Sequence, residues 1–396
     1  MKAGIARRGA LVVVAAALGA GLVPSAADAA RVLKVQDGKA RWVRDPLLPP
    51  ASKTALPPVR GKSGPRVATT PRARAASLTG QERKRYSDAL SAAKRQRDAL
   101  SGTRRAELSA VIAIVERIES RGELTSSRLN AIESTLRRNT EFWGSNAAPP
   151  PGTRVTFGTS PVIFEYYAGS GLQIQPLGNF GKANAAWSEC RSVGDRTCTR
   201  LRNHLDAMLS LAAQRGGFTA FEYYFDFEGG APPWISSMAQ GTGIQALSRA
   251  TQLTGDTRYV TAARAALGAF ETAPPVGVLQ PAEGGSHYLM YSYAPRLFIF
   301  NGFLQSLVGL DDYRDISGDA RGTTLFRNGH AHAKLLVPQS DTGSWSLYSL
   351  GGPESTRNYH VLLRDILANL CKRIGTTVYC TTADRFTQYL AARDAA

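Results

Sequence analysis

From Ser237 to the C-terminus the chain writes one helix after another, and short turns rich in Gly, Pro and Asp punctuate them. The first helix spans about 237–253 and stops at Thr254-Gly255-Asp256, where Gly255 suits the left-handed position that ends a helix. The next carries Val260, Ala263, Leu267 and Phe270 on one face. A third carries Phe300, Phe303, Leu304, Leu307 and Leu310. A fourth runs about 319–336, a fifth carries Leu363, Ile366, Leu367 and Leu370, and a sixth closes the chain near 383–393. Several are apolar on more than one side, so they must be covered on more than one side. Consecutive helix pairs with this property predict an array of α-hairpins with an inner layer inside an outer one, an incomplete (α/α) toroid or a solenoid.

The region before this array has a different texture. A basic start (Lys2, Arg7, Arg8), an apolar run from Ala10 to Val23 and Ala27-Asp28-Ala29 predict a cleaved secretion signal over 1–29. Residues 30–78 are rich in Pro, Ala, Arg and Lys and read as a disordered basic tether. Residues 79–146 read as a helical hairpin, since Leu108, Val111, Ile112, Val115 and Ile118 share one helix face and Leu129, Ile132 and Leu136 resume the stripe after Gly122. Ala147 to Gly152 forms a proline-rich boundary. Residues 147–200 then read as a small β-rich region, with the toroid over 201–396. The alternation Phe221, Tyr223, Phe225, Phe227 against Glu222, Tyr224, Asp226, Glu228 predicts a further strand. The fold class expected is mainly α, with a small strand region and an N-terminal helical hairpin before the toroid.

The net charge of +17 invites an anionic partner, but its placement narrows that idea. Residues 31–105 hold 19 Lys and Arg against 5 Asp and Glu, whereas residues 106–396 hold 26 against 25. The excess belongs to the N-terminal arm, which is either a solvated linker or a contact to an anionic cell-envelope polymer. No nucleic acid is expected as a partner, and a homodimer is left open. Four cysteines in an exported chain imply disulfides. Of the three possible pairings, close spacing favours Cys190 with Cys198 and Cys371 with Cys380. No metal-ligand cluster, phosphate loop or dinucleotide fingerprint stands out, so no metal or cofactor is expected; calcium in the strand region is not addressed by any motif.

Four segments carry the chemistry. They are Trp234 to Gly241, Phe298 to Phe303, Asp341 to Leu350 (DTGSWSLYSL) and Arg357-Asn358-Tyr359-His360. In this order they resemble the C-terminal domain of the D-glucuronyl C5-epimerases, over roughly 221–370. The resemblance implies inversion at C5 of glucuronate in a heparan-type polysaccharide. One group removes the C5 hydrogen, the neighbouring carboxylate takes up the charge, and a second group returns a proton to the opposite face. By the same resemblance Tyr348, Tyr359 and Tyr291 are catalytic. Arg357, His360, Asn301, Gln240 and Trp234 are substrate-binding candidates, with a cation beside Tyr359 suited to a substrate carboxylate. Where the family pattern has carboxylates before the tyrosine, this chain has Leu289-Met290. Glu283 in the nearby loop is the first candidate replacement, followed by Asp226 and Glu228. The competing functions are a uronate lyase, a glycan-binding module without its base, and a glycosidase using Asp226 and Glu228. The last is disfavoured because side chains two apart on a strand sit side by side, whereas a glycosidase needs opposed carboxylates.

Overall fold

The computed structural model describes residues 30–48, 78–194 and 197–395. The signal expected over 1–29 and most of the expected tether (49–77) lie outside these residues. Residues 30–48 depart from the tether: they form two antiparallel strands, β1 (Ala30–Gln36) and β2 (Lys39–Asp45), joined at Asp37-Gly38. Both turn residues take positive φ, which Gly and Asp tolerate. Leu33 and Val35 on one face and Val32 on the other supply the apolar contacts that the arginine-rich composition obscured.

The N-terminal helical unit has three helices where a hairpin was expected. These are α1 (Gly80–Asp98), α2 (Gly102–Ser120) and α3 (Ser126–Ser145). Thr79 and Glu82 cap α1 reciprocally. Gly122 separates α2 from α3 as the sequence predicted. β3 (Arg154–Phe157), β4 (Phe164–Tyr167) and β5 (Gly171–Ile174) follow, and the five strands form one sheet in the order β2-β1-β3-β4-β5. One sheet face carries Val155, Phe157, Phe164 and Tyr166 toward α2 and α3. There Tyr166 meets Trp143 edge-on at 5.5 Å and donates to Glu107 at 2.8 Å. The opposite face carries Arg154, Glu165 and Gln173 in one cross-strand row, with Tyr167 beside it. That polar face turns toward the helical array, where Tyr167 stacks on Phe225 at 4.3 Å.

The array itself consists of four helix pairs: α4 (Pro176–Val193) with α5 (Thr199–Ser210), α6 (Ser237–Thr254) with α7 (Thr257–Ala266), α8 (Phe300–Ser317) with α9 (Ala320–Leu336), and α10 (Arg357–Ile374) with α11 (Thr377–Ala395). α4, α6, α8 and α10 pack side by side as the inner layer, and α5, α7, α9 and α11 lie outside. The array therefore begins at 176, earlier than the expected 201. α6 and α8 are buried on every side over most of their length, which is why their sequences lack a polar face. Two short hairpins, β6 (Ala213–Arg215) with β7 (Phe218–Ala220) and β8 (Leu279–Ala282) with β9 (Gly285–Tyr288), link the layers. The strand expected over 221–227 is absent. That stretch makes isolated bridges to Trp234 and Gly230 only, because its "polar" side is occupied by buried Glu222 and Tyr224. Both expected disulfides are present, with Cα–Cα distances of 5.5 Å (Cys190–Cys198) and 4.9 Å (Cys371–Cys380). Among the described residues, no helix is long and apolar enough to cross a membrane.

Candidate active site

The three tyrosines come from three separate places in the chain and meet at one end of the inner layer. Tyr348 lies in the loop between α9 and α10. Tyr359 is in the first turn of α10, and Tyr291 follows β9. The Tyr348 and Tyr359 rings pack edge-on at 5.0 Å, and the hydroxyls of Tyr348 and Tyr291 hydrogen-bond to each other. Tyr293 stacks on Tyr291 at 5.4 Å. Trp234 stands beside both (5.7 and 5.5 Å), is stacked on Tyr223 at 4.1 Å, and is fixed by its indole N–H donating to the Phe225 carbonyl at 2.8 Å. The result is a buried aromatic cluster that encloses several hydroxyls.

Local geometry explains why the loop holds Tyr348 there. The Tyr348 N–H donates to the Pro353 carbonyl, its own carbonyl accepts from Phe300 N–H, and Ser349 bridges to Ile299, so the loop is stitched to the start of α8. Trp345 anchors the other side, with its indole N–H on the Ser355 carbonyl at 2.7 Å and its ring stacked on His360 at 3.7 Å.

The tyrosines are only 3–5 % exposed. Burial raises the pKa of all three well above the ordinary phenol value, so each is neutral and can donate a proton. The Tyr359 and Tyr293 hydroxyls have no hydrogen-bond partner among the described residues, although both are buried. Orphaned hydroxyls of this kind cost roughly 1–3 kcal/mol each. The half-buried Tyr293 and the exposed Glu228 mark the side nearest solvent. The 226–230 loop covers that side and is closed by reciprocal Phe227–Gly230 backbone bonds and by the Arg117–Asp226 ion pair.

Other sequence candidates fall elsewhere. Glu283 sits at the exposed tip of the β8–β9 hairpin against α9, where its carbonyl meets His332 Nδ1 at 2.9 Å; it does not join the tyrosines. The hairpin register holds it there, since Gly284 and Gly285 press on Ala331 and Asn328 of α9. Arg357 is exposed and forked onto Asp394 at 2.6 and 3.0 Å, so its guanidinium is engaged at the surface. His360 is fully buried with both ring nitrogens bonded, to Ser346 Oγ at 2.8 Å and the Phe386 carbonyl at 2.9 Å, which makes it a structural post under Trp345. Gln240 ties the Phe221 N–H and the Thr219 carbonyl and is likewise structural. Asn301 is buried with an unpartnered Oδ1. Met290 fills the place of the missing carboxylate and packs against Gly302 and Ser236. Asp226 pairs with Arg117. Among the described residues no cluster of His, Cys, Asp and Glu could hold a metal ion.

Comparison with known proteins narrows the identity. Residues 215–388 match the sequence profile of the D-glucuronyl C5-epimerase C-terminus. Two curated relatives each align over about two fifths of the chain. The D-glucuronyl C5-epimerase of Caenorhabditis elegans is 33% identical over 178 residues, covering 40% of this chain and 29% of that protein. An uncharacterized protein of Methanocaldococcus jannaschii is 27% identical over 169 residues, covering 41% of this chain and 55% of that one. The chain thus spans about half or less of these relatives' length. Among solved structures, a cellobiose 2-epimerase from Bacillus thermoamylovorans superposes with a TM-score of 0.43 at 9% identity, covering 73% of this chain and 75% of that one. An unsaturated glucuronyl hydrolase from Streptococcus agalactiae does so with 0.38 at 12%, covering 81% of each.

Tyr223, whose ring stacks on Trp234, and the buried Glu165 were not among the sequence candidates. Tyr223 was assigned to the buried side of a strand, and Glu165 was passed over inside the run Phe164-Glu165-Tyr166-Tyr167. A lone carboxylate in an otherwise apolar strand was the available signal.

Proposed function

We propose that the protein is an epimerase acting at C5 of a uronate in a polysaccharide, by proton exchange at the tyrosine cluster. The observation that carries this is the meeting of Tyr291, Tyr348 and Tyr359, from three distant segments, within the family-matched domain. In this reading Tyr359, whose hydroxyl is orphaned, faces the C5 hydrogen. The hydrogen-bonded Tyr291–Tyr348 pair supplies the proton on the other face. Trp234 and Tyr293 stack on flanking sugar rings, as aromatic faces do on the apolar faces of pyranoses. A sugar unit cannot enter the site as it stands, so the 226–230 loop must open by releasing Asp226 from Arg117. The two disulfides suit an exported chain, and the basic N-terminal arm would hold it near an anionic envelope polymer.

The test is incubation of the full chain with glucuronate-bearing polymers in deuterated water, read by NMR. Deuterium at C5 with an intact chain is the expected result. Unsaturated products absorbing in the ultraviolet would instead make the protein a lyase. Saturable glycan binding with no exchange would make it a binding module.

A further inference from the structure

The tyrosines leave a chemical gap. Phenols whose pKa values burial has raised are good acids and poor bases, so a tyrosine that removes a carbon-bound hydrogen must pass its own proton on. The position where the family pattern supplies a carboxylate is Met290 here. Among the described residues, Glu165 is a buried carboxylate that lacks a full set of partners and whose charge reaches the cluster. It lies on β4, 1 % exposed, with Oε2 lacking any hydrogen-bond partner. Its row in the sheet (Arg154, Glu165, Gln173) is on the face turned toward the helical array, and Tyr167 on the same face hydrogen-bonds to it. Its charge is felt by Tyr359 and by Tyr223, the ring stacked on Trp234. An unpartnered carboxylate oxygen of the sheet and an unpartnered phenol oxygen of α10 are therefore coupled by charge without hydrogen-bonding each other.

We propose that Glu165 is the carboxylate of this site, a positioning and proton-accepting group that, once a bound uronate draws the two oxygens to hydrogen-bond distance, takes the Tyr359 hydroxyl proton as that oxygen removes the C5 hydrogen. The inference rests on the epimerase reading above and supplies its missing base. The step balances. The C5–H bond breaks, its electron pair moves into the substrate carboxyl, the hydrogen goes to Tyr359 Oη, and the former Tyr359 proton goes to Glu165. A proton from the Tyr291–Tyr348 pair then closes the opposite face. The site is left one proton richer at Glu165 and one poorer at the pair, and exchange with solvent restores both. In consequence the β-sheet is part of the active site, and the family-matched segment alone lacks its base.

Burial raises the Glu165 carboxyl to about 7, with Arg154 and the Tyr167 hydrogen bond pulling the other way. The groups facing it are Arg154 from β3, Tyr167 from β4, Tyr223 from the segment after β7 and Tyr359 from α10, while Asp45 of β2 acts on Arg154. Only the ionised carboxylate can accept, so the rate should fall as pH drops through about 7.

The experiment compares wild type with Glu165→Gln for C5 deuterium exchange across pH, with folding checked by circular dichroism. Exchange reduced roughly 100-fold or more in Glu165→Gln, with the acid limb near neutral pH gone, supports the proposal. Full exchange, or an unchanged pH profile, overturns it. A second measurement is independent of activity: infrared titration of the buried carboxyl in wild type and Tyr359→Phe. A carboxyl band titrating near neutrality that shifts in Tyr359→Phe supports the pairing, and one indifferent to Tyr359 overturns it. If wild type exchanges no deuterium into any uronate polymer, the epimerase reading fails, and the infrared result alone then decides whether Glu165 and Tyr359 form a proton pair.

Discussion

Glu222 is the residue at which the three layers of the molecule are clamped. It is fully buried, receives both forks of Arg128 from α3 at 2.7 Å, and also takes Arg215 at 2.8 Å and the Tyr224 hydroxyl at 3.0 Å. Burial pushes its carboxyl up, but the two guanidiniums overcome that and hold it at about 2. Arg215 in turn reaches the carbonyls of Pro233, Pro275 and Val276. Removing the carboxylate strands two buried cations, so Glu222→Gln should lose about 3–5 kcal/mol in urea unfolding. A loss under 1 kcal/mol would mean that the arginines find other partners. At the same scale, Tyr348→Phe removes one hydroxyl and no ring contact. It should cut C5 exchange roughly 100-fold or more while shifting the melting temperature by only a few degrees. A melting shift as large as that of Glu222→Gln would show Tyr348 to be a packing residue.

Among elements, the inner helices α6 and α8 approach more closely than side chains allow. A Cβ on Gly309 would lie 2.0 Å from the Gly241 carbonyl oxygen, and one on Gly241 would lie 2.7 Å from the Ser306 backbone. The obstacle is backbone on both sides and cannot rotate away. Gly309→Ala should therefore push the helices apart and cost about 3 kcal/mol, seen as a lower urea midpoint. Gly255→Ala, in open space at the end of α6 but with φ +72°, should cost less, since only its left-handed backbone is strained. If the two variants behave alike, close approach is not what the inner glycines serve. The six helices from Ser237 onward, the end at Gly255 and the apolar inner faces were legible in the sequence, because caps and periodicity are local. Residues 221–227 were misread for the converse reason. Their alternation is genuine, but Glu222 and Tyr224 are buried by partners more than 90 residues away or by each other, and no local pattern announces that.

The whole molecule carries buried groups whose titration should set its pH stability. His204 lies between α4 and the sheet, where burial and the neighbouring Lys182 lower it from 6.5 to about 3, and burial lowers His287 as well. A folded value below the free one means that protonation favours the unfolded chain. Their stability is intact above pH 6.5 and drains as pH falls through that window, by up to about 1.4 kcal/mol per pH unit for each group. Glu165 works the other way. Its folded value of about 7 lies above its ordinary 4.5, so its burial costs stability at high pH and is relieved as pH drops between those values. Glu222, held low, loses its contribution only as pH falls from 4.5 toward 2. Chemical denaturation between pH 7 and 4.5 should show a net loss on acidification. His204→Phe should shrink that loss by about 2–3 kcal/mol, and Glu165→Gln should deepen it. A His204→Phe curve parallel to wild type would remove His204 from this account.

Periodicity, caps, cysteine spacing and the four ordered segments are properties of neighbouring residues. They determined by themselves the helical array, both disulfides and the resemblance that the match over 215–388 reflects. Which side chains share a space is set by packing between distant segments, and that the tertiary structure alone decided. It gathered Tyr291, Tyr348 and Tyr359 from three places in the chain and buried Glu165 on the sheet face turned toward the helical array. It also sent Glu283, Arg357 and His360 to other work. The physical reason is that a helix or strand is written in local energies, whereas a site is an intersection of elements, and burial and charge there depend on every element that meets.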